Sequence, residues 1–408
     1  MCRYDCFGNY DAIRPRPILC AMNQRTITIG LVFLALFTGR LCALETIRFT
    51  TKEGTETEST GRILLLGPQG EFLLQARDGQ LFEIQPDSII SHESDKTLFV
   101  PWTPPEFEDA LRDEFGPDFH VLATDHYWIV YNTSERYAKW IGDSFDRFYK
   151  TYHSVWTKFG LDLAEPEFPL VAILFSDKKQ FDQQVRKEVG NAMPLEMRAY
   201  YHKWTNRIVL CDLSGIEKQL EEMNNAARRG VRVNSSTILN RPGTGHNLSA
   251  MFHEAAHQIG CNTGMFPRLA PIPLWLLEGV AMLHEIPDVN HPRRQESGVP
   301  GVNKVRLEQF RVFSRKSPND PVRIMLQTDT VLRSSHTAQD YYGLSWGFTY
   351  FLYKQKPKEF ATYLREMAAK TAADADSPTL RLLDFENHFG QNWNKLQRDF
   401  VRYAQSLR

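Results

Sequence analysis

The sequence predicts an α+β fold: a small β module, then a strand-rich half, one buried helix carrying a metal-ligand motif, and a helical remainder. Three observations point to it. Short β-prone runs broken by turn residues crowd the region from Thr46 to Phe99. Apolar runs of strand length flank one long amphipathic pattern between residues 120 and 213. Beyond Leu274 almost every segment repeats at helical spacing. A chain of 408 residues is long enough for one large or two unequal domains. Its 42% hydrophobic and 24% charged residues are those of a globular protein and exclude wholesale disorder. Formal net charge is −1 with no Lys/Arg block, so nothing suggests nucleic acid as a partner.

Residues 1–43 are expected to stand outside the fold. From Met22, "MNQRTITIGLVFLALFTGRLCALE" has a basic start at Arg25, an apolar stretch from Ile27 to Phe37, and small residues at Cys42 and Ala43. That is the layout of a secretory signal peptide, with Met22 a plausible start, and the apolar run is short for a membrane span. Export to the periplasm or beyond, with cleavage near Ala43 and no stable membrane span afterwards, is the expectation; the alternative is an N-terminal anchor. Cleavage would leave only Cys211 and Cys261, which could pair.

Residues 45–100 come next as a small β module of the SH3-like kind. "RILLL" (62–66), "EFLLQA" (71–76) and "QLFEI" (80–84) are its strands, punctuated by Gly67-Pro68-Gln69-Gly70 and Asp78-Gly79. The second domain is assigned to residues 101–408. Proline-rich "PWTPPEFED" leads into a helix at about Glu106 to Phe115, and "HVLATDHYWIVYNT" (120–133) holds two strands. Ser134 is a suitable N-cap for a helix whose Tyr137, Ile141, Phe145, Phe148, Tyr152, Trp156 and Phe159 form a stripe, read as core rather than a ligand face. "PLVAILFS" (169–176) has the continuous apolar character of a buried strand. A helix over 178–189, ended by Gly190, and a strand at "RIVLCDL" (207–213) follow. Helices are expected over 345–355, 358–370 and 380–407.

Between the two halves stands "HEAAHQIGCNT", residues 253–263. Residues four apart on a helix share a face, so His253 and His257 can bind one Zn²⁺ while Glu254 stands beside it, placed to act as a general base. Asn247 suits the N-cap and Gly260 the C-terminus of this helix. Thr263 stands where a longer H-E-x-x-H-x-x-G-x-x-H pattern would need a third histidine. The missing ligand is sought in "PLWLLEGVAMLHE" (273–285), where Glu278 sits in the middle of an apolar helical stretch. An unpaired carboxylate there would cost several kcal/mol, and a metal ion removes that cost. Gly279 and Ala281 would let another helix approach closely. His246 and His284 are alternative ligands or, more simply, structural histidines.

"HEAAHQIG" followed by "PLWLLEGVA" resembles the gluzincin (peptidase-MA-like) zinc metallopeptidases. The likeness is strongest to bacterial families with a W-L-x-E-G-x-A second motif, several of which are domains of unknown function. It covers about residues 120–408, and the two motifs carry nearly all of its specificity. It implies a zincin-like domain holding one Zn²⁺ through His253, His257 and Glu278, with Glu254 as general base and a peptide or protein as substrate. "YYGLSW" (341–346) is similar to a segment whose tyrosine stabilises the oxyanion there, which implies Tyr342, with Tyr341 as the alternative. The strand at 207–213 would match the edge along which those enzymes lay a peptide. The metzincins, suggested by Gly260, are disfavoured because Thr263 cannot replace a histidine ligand. The contrasting expectation is a non-catalytic zinc module that binds extracellular protein or cell-wall material.

Overall fold

The computed structural model describes residues 43–52, 54–190, 197–211, 244–285, 300–317 and 320–407, with 244–247 described for the backbone only. Residues 1–42, where a signal peptide is expected and four cysteines stand, lie outside them, as does the side chain of His246. The architecture is α+β, strand-rich before the motif helix and helical after it. The chain divides into two compact units.

The described part of the first unit runs to Gly116 and includes Trp204–Asn206. Its strands are β1 (Ala43–Thr50), β2 (Glu56–Leu66), β3 (Phe72–Ala76), β4 (Leu81–Ile84) and β5 (Ile89–Leu98). They form one antiparallel sheet in the order β4-β3-β2-β1-β5. The three runs singled out in the sequence are β2, β3 and β4, and Gly70 and Gly79 turn the chain between them at positive φ (90° and 88°). Strands β1 and β5 were not singled out. Ile47, Phe49, Phe72, Leu74 and Ile84 make the unit's core. Helix α1 (Pro104–Phe115) belongs to this unit, which therefore extends past residue 100. Its start is fixed by a capping box in which Glu106 accepts from Thr103 N at 2.7 Å.

The second unit is built on a mixed sheet, β6-β7-β8-β10-β9, comprising β6 (His120–Ala123), β7 (Tyr127–Tyr131), β8 (Leu170–Phe175), β9 (Ala199–His202) and β10 (Arg207–Cys211). β7, β8 and β10 run parallel, and the outer strands pair antiparallel. This corrects one expectation: β10 is an inner strand and β9 is the edge. Helix α2 (Glu135–Lys158) starts where Ser134 accepts from Tyr137 N, and its stripe from Tyr137 to Trp156 is buried in the core as anticipated, with Phe159 half-buried just past its end. Helix α3 (Lys178–Glu188) ends before Gly190, whose φ is +95°.

The motif helix α4 (Thr244–Asn262) begins before Asn247 and continues through Gly260, so neither residue ends it. The chain turns at Gly264, φ +82°, instead. Gly260 serves packing: a Cβ there would stand 2.9 Å from the Tyr152 hydroxyl and 3.3 Å from the Phe266 ring. Helices α5 (Leu274–Leu283), α6 (Lys304–Ser314), α7 (Pro321–Gln327), α8 (Thr330–Arg333), α9 (Ala338–Gln355) and α10 (Pro357–Ala368) follow. The expected helix over 380–407 is two, α11 (Pro378–Phe389) and α12 (Trp393–Ser406), because Gly390 takes a φ of +79° between them. Cys211 and Cys261 are both buried free thiols, so they do not pair. Among the described residues no helix is long and apolar enough to cross a membrane.

Candidate metal centre

Helix α4 lies against the sheet, where the Gln258 amide donates to Val171 O of β8 at 3.0 Å. Its other face meets α5, which is buried along its whole length. Gly279 makes room for α9, since a Cβ there would collide with the Thr349 side chain and come within 3.2 Å of Ser345 O. Helix α5 thus packs against both α4 and α9.

His253, His257 and Glu278 are each at most 5% exposed. Their candidate ligand atoms all lie within 4.8 Å of one another. His253 Nε2 is 3.0 Å from Glu278 Oε2 and 3.0 Å from His257 Nε2, and His257 Nε2 is 3.6 Å from Glu278 Oε1. Donors held ~2.1 Å from one tetrahedral ion stand about 3.4 Å apart, so these spacings suit a single metal ion. The donor set, two imidazoles and one carboxylate, also suits it chemically.

The electrostatics give the same answer. Burial pushes the His253 imidazole toward neutrality, but hydrogen bonds to Glu278 and Glu285 outweigh it and hold its pKa up to about 10. Burial raises the Glu278 carboxyl, yet the two histidines hold it well below the usual carboxylate range. Two buried carboxylates thus face the His253 imidazole, and positive charge is favoured between them.

Glu254 belongs elsewhere. It is 1% exposed, and its Oε2 accepts from Tyr201 N of edge strand β9 at 2.8 Å. One residue along the helix therefore separates a group facing the cluster from a carboxylate facing the sheet edge. The helical spacing anticipated this division. The short, unanticipated β9 supplies its partner.

Glu285, the last residue of the stretch that carries Glu278, touches the centre from behind. Its Oε1 lies 3.1 Å from His253 Nδ1. Burial raises its carboxyl, but Arg306 and His253 bring it down to about 2. Its other partners are donors from the start of α6. Their sequence distance, 18 and 21 residues, hid them from any local pattern.

Tyr342 is buried on α9 with its ring 5.6 Å from the Arg306 guanidinium carbon. Tyr341 turns to a different pocket, its ring 5.1 Å from that of Phe313. His284 is a core histidine. Its Nε2 accepts from the Trp156 indole at 3.1 Å, it is ringed by Phe148, Tyr152 and Trp156, and burial alone depresses its pKa to about 3. Thr263 is buried and bonds its own helix, Oγ1 to Ile259 O at 2.8 Å.

A second cluster, Asp125, His126 and Asp146, also brings ligand-type atoms within 4.8 Å of one another. There Asp146 already accepts from the Thr124 hydroxyl and from the backbone of Asp125 and His126. It reads as a lock on the turn between β6 and β7.

Comparison with known proteins adds one likeness. Residues 247–374 match a family described as "Protein of unknown function (DUF1570)". The matched span contains His253, Glu254, His257, Glu278, Glu285, Arg306 and Tyr342. No curated protein matches the chain.

Proposed function

We propose that this chain is an exported zinc-dependent metallopeptidase of the gluzincin kind, with His253, His257 and Glu278 as metal ligands and Glu254 as general base. The observation that carries the reading is the split between neighbouring side chains. Three buried donors converge on one point, whereas Glu254, adjacent in sequence, turns to Tyr201 N of β9.

A zinc ion held by three protein ligands keeps one position open and brings the pKa of its bound water toward ~7. The chain's own groups account for the rest. Glu254 accepts the proton of the attacking water and returns it to the leaving amine. It lies buried beside the backbone of β9, which excludes bulk water. Tyr342 is proposed to direct its hydroxyl to the oxyanion of the substrate carbonyl.

The test is incubation of the zinc-loaded protein with a broad peptide library, read by mass spectrometry. Cleavage that disappears on chelation and in Glu254→Gln is the expected result. A zinc-replete protein that cleaves no member favours the binding-module alternative.

A further inference from the structure

We propose that Glu285 is a positioning residue for His253, held in place by helix α6 through Arg306, so that a helix carrying no ligand sets the affinity of the metal centre. The inference rests on the metal-ligand reading above. It goes beyond that reading by assigning roles to Glu285, Asn303, Arg306 and the Tyr342 ring.

An imidazole can offer a lone pair to a metal through one nitrogen only if the proton sits on the other. Glu285 decides which. Its ionised carboxylate can only accept, so the 3.1 Å contact with His253 Nδ1 puts the proton there and leaves Nε2 facing the cluster. The same contact fixes the plane of the ring.

A buried carboxylate keeps such a position only if its remaining lone pairs are satisfied. The first turn of α6 does this. Asn303 Nδ2 donates to Glu285 Oε2 at 2.7 Å and Arg306 Nε donates to the same oxygen at 2.9 Å. The second arm of the Arg306 fork donates to Oε1. Asn303 also caps α6, its Oδ1 accepting from Arg306 N at 3.1 Å, so the hold on Glu285 and the start of the helix depend on one side chain.

What fixes α6 in turn is α9. At Gly343 the two backbones touch: a Cβ would stand 2.7 Å from Phe310 N and 2.9 Å from Gln309 Cβ. One residue away, the Tyr342 ring lies 5.6 Å from the Arg306 guanidinium carbon, a cation–π contact. The line from α9 to His253 thus runs through the Tyr342 ring, Arg306 and Glu285. Each link is a direct contact between buried side chains.

The experiment is a zinc titration of the metal-free full chain against a chromogenic chelator, paired with the visible spectrum after cobalt(II) substitution. Wild type is expected to bind one ion. Glu285→Gln should still bind one, with an unchanged cobalt spectrum, but about 10- to 100-fold more weakly. Arg306→Gln should weaken binding in the same direction. The double variant should lose much less than the product of the two single losses, because both act through one contact. Tyr342→Phe keeps the ring and should keep the affinity, whereas Tyr342→Leu should lower it.

An affinity for Glu285→Gln within twofold of wild type would overturn the proposal. So would loss of the ion altogether, since that would make Glu285 a ligand. If Glu285→Gln does not fold, Arg306→Lys carries the test, for it keeps the charge but loses the fork, and undiminished affinity there would also overturn it. A wild-type chain that binds no zinc would remove the metal centre itself and this inference with it.

Discussion

Glu254, Glu278 and Glu285 are all buried, and only their partners tell them apart. Glu278 meets two imidazoles, Glu285 meets one imidazole and an arginine fork, and Glu254 meets a backbone amide. Glu254 and Glu278 were legible in the sequence, the first from its place in a compact motif and the second from its apolar surroundings. Glu285 was not, because what defines it is contributed by residues far along the chain. Tyr342→Phe is expected to lower turnover by on the order of a hundredfold while zinc content stays at wild type, as loss of one oxyanion donor does. Full activity in that variant would remove the hydroxyl from the mechanism. The pH dependence of the metal-free protein follows from the same residues. A folded His253 pKa of about 10 against 6.5 unfolded contributes stability that is complete below pH 6.5 and lost as pH rises through 10. Glu278 and Glu285, depressed from 4.5, contribute stability that is lost only as pH falls below that value. The thermal stability of the metal-free chain should therefore fall steadily from pH 6.5 to 10. A flat profile would mean that His253 is not flanked by ionised carboxylates.

Among elements, the edge strand shows where pattern reading failed and why. A continuous apolar run such as "RIVLC" marks a strand covered on both sides, which is the signature of the inner strand β10. The edge went to four residues, "AYYH", too few to show a period. Glycines divided in a similar way. Gly390 interrupts what periodicity alone read as one helix, because side-chain spacing does not report a single positive φ. Gly279 was anticipated as a contact point, and its neighbours show how tight that contact is. Gly279→Ala is expected to destabilise the protein by about 1–3 kcal/mol through overpacking, and adding Thr349→Ala should restore part of the loss. Chemical denaturation midpoints of the two variants measure this. A neutral Gly279→Ala would show that α5 and α9 can separate without cost.

For the molecule as a whole, the α+β layout was legible because apolar periodicity changes along the chain, while the extent of the first unit was not. Strand β5 is exposed along nearly its whole length and carries no hydrophobic alternation to betray it. Helix α1 was assigned with residues 101–408 to the second domain, yet it clusters with the first unit's β sheet. Each unit has its own buried core. A chain truncated to begin at Pro117 should therefore fold and bind one zinc ion. An insoluble product beside a well-behaved longer chain would mean that the first unit completes the core of the second. If the proposed export is right, mass spectrometry of the mature protein should find an N-terminus near Ala43; one at residue 1 or 22 would contradict cleavage there.

The central claim is that three side chains hold a metal ion and a fourth, adjacent in sequence, acts without touching it. Metal content of purified Glu278→Gln and Glu254→Gln, measured side by side with wild type, tests it most directly. Removing a ligand leaves the others unpaired and should leave Glu278→Gln poor in zinc, whereas Glu254→Gln should keep one ion per chain and be inactive. Normal zinc in Glu278→Gln, or loss of zinc in Glu254→Gln, would contradict the account.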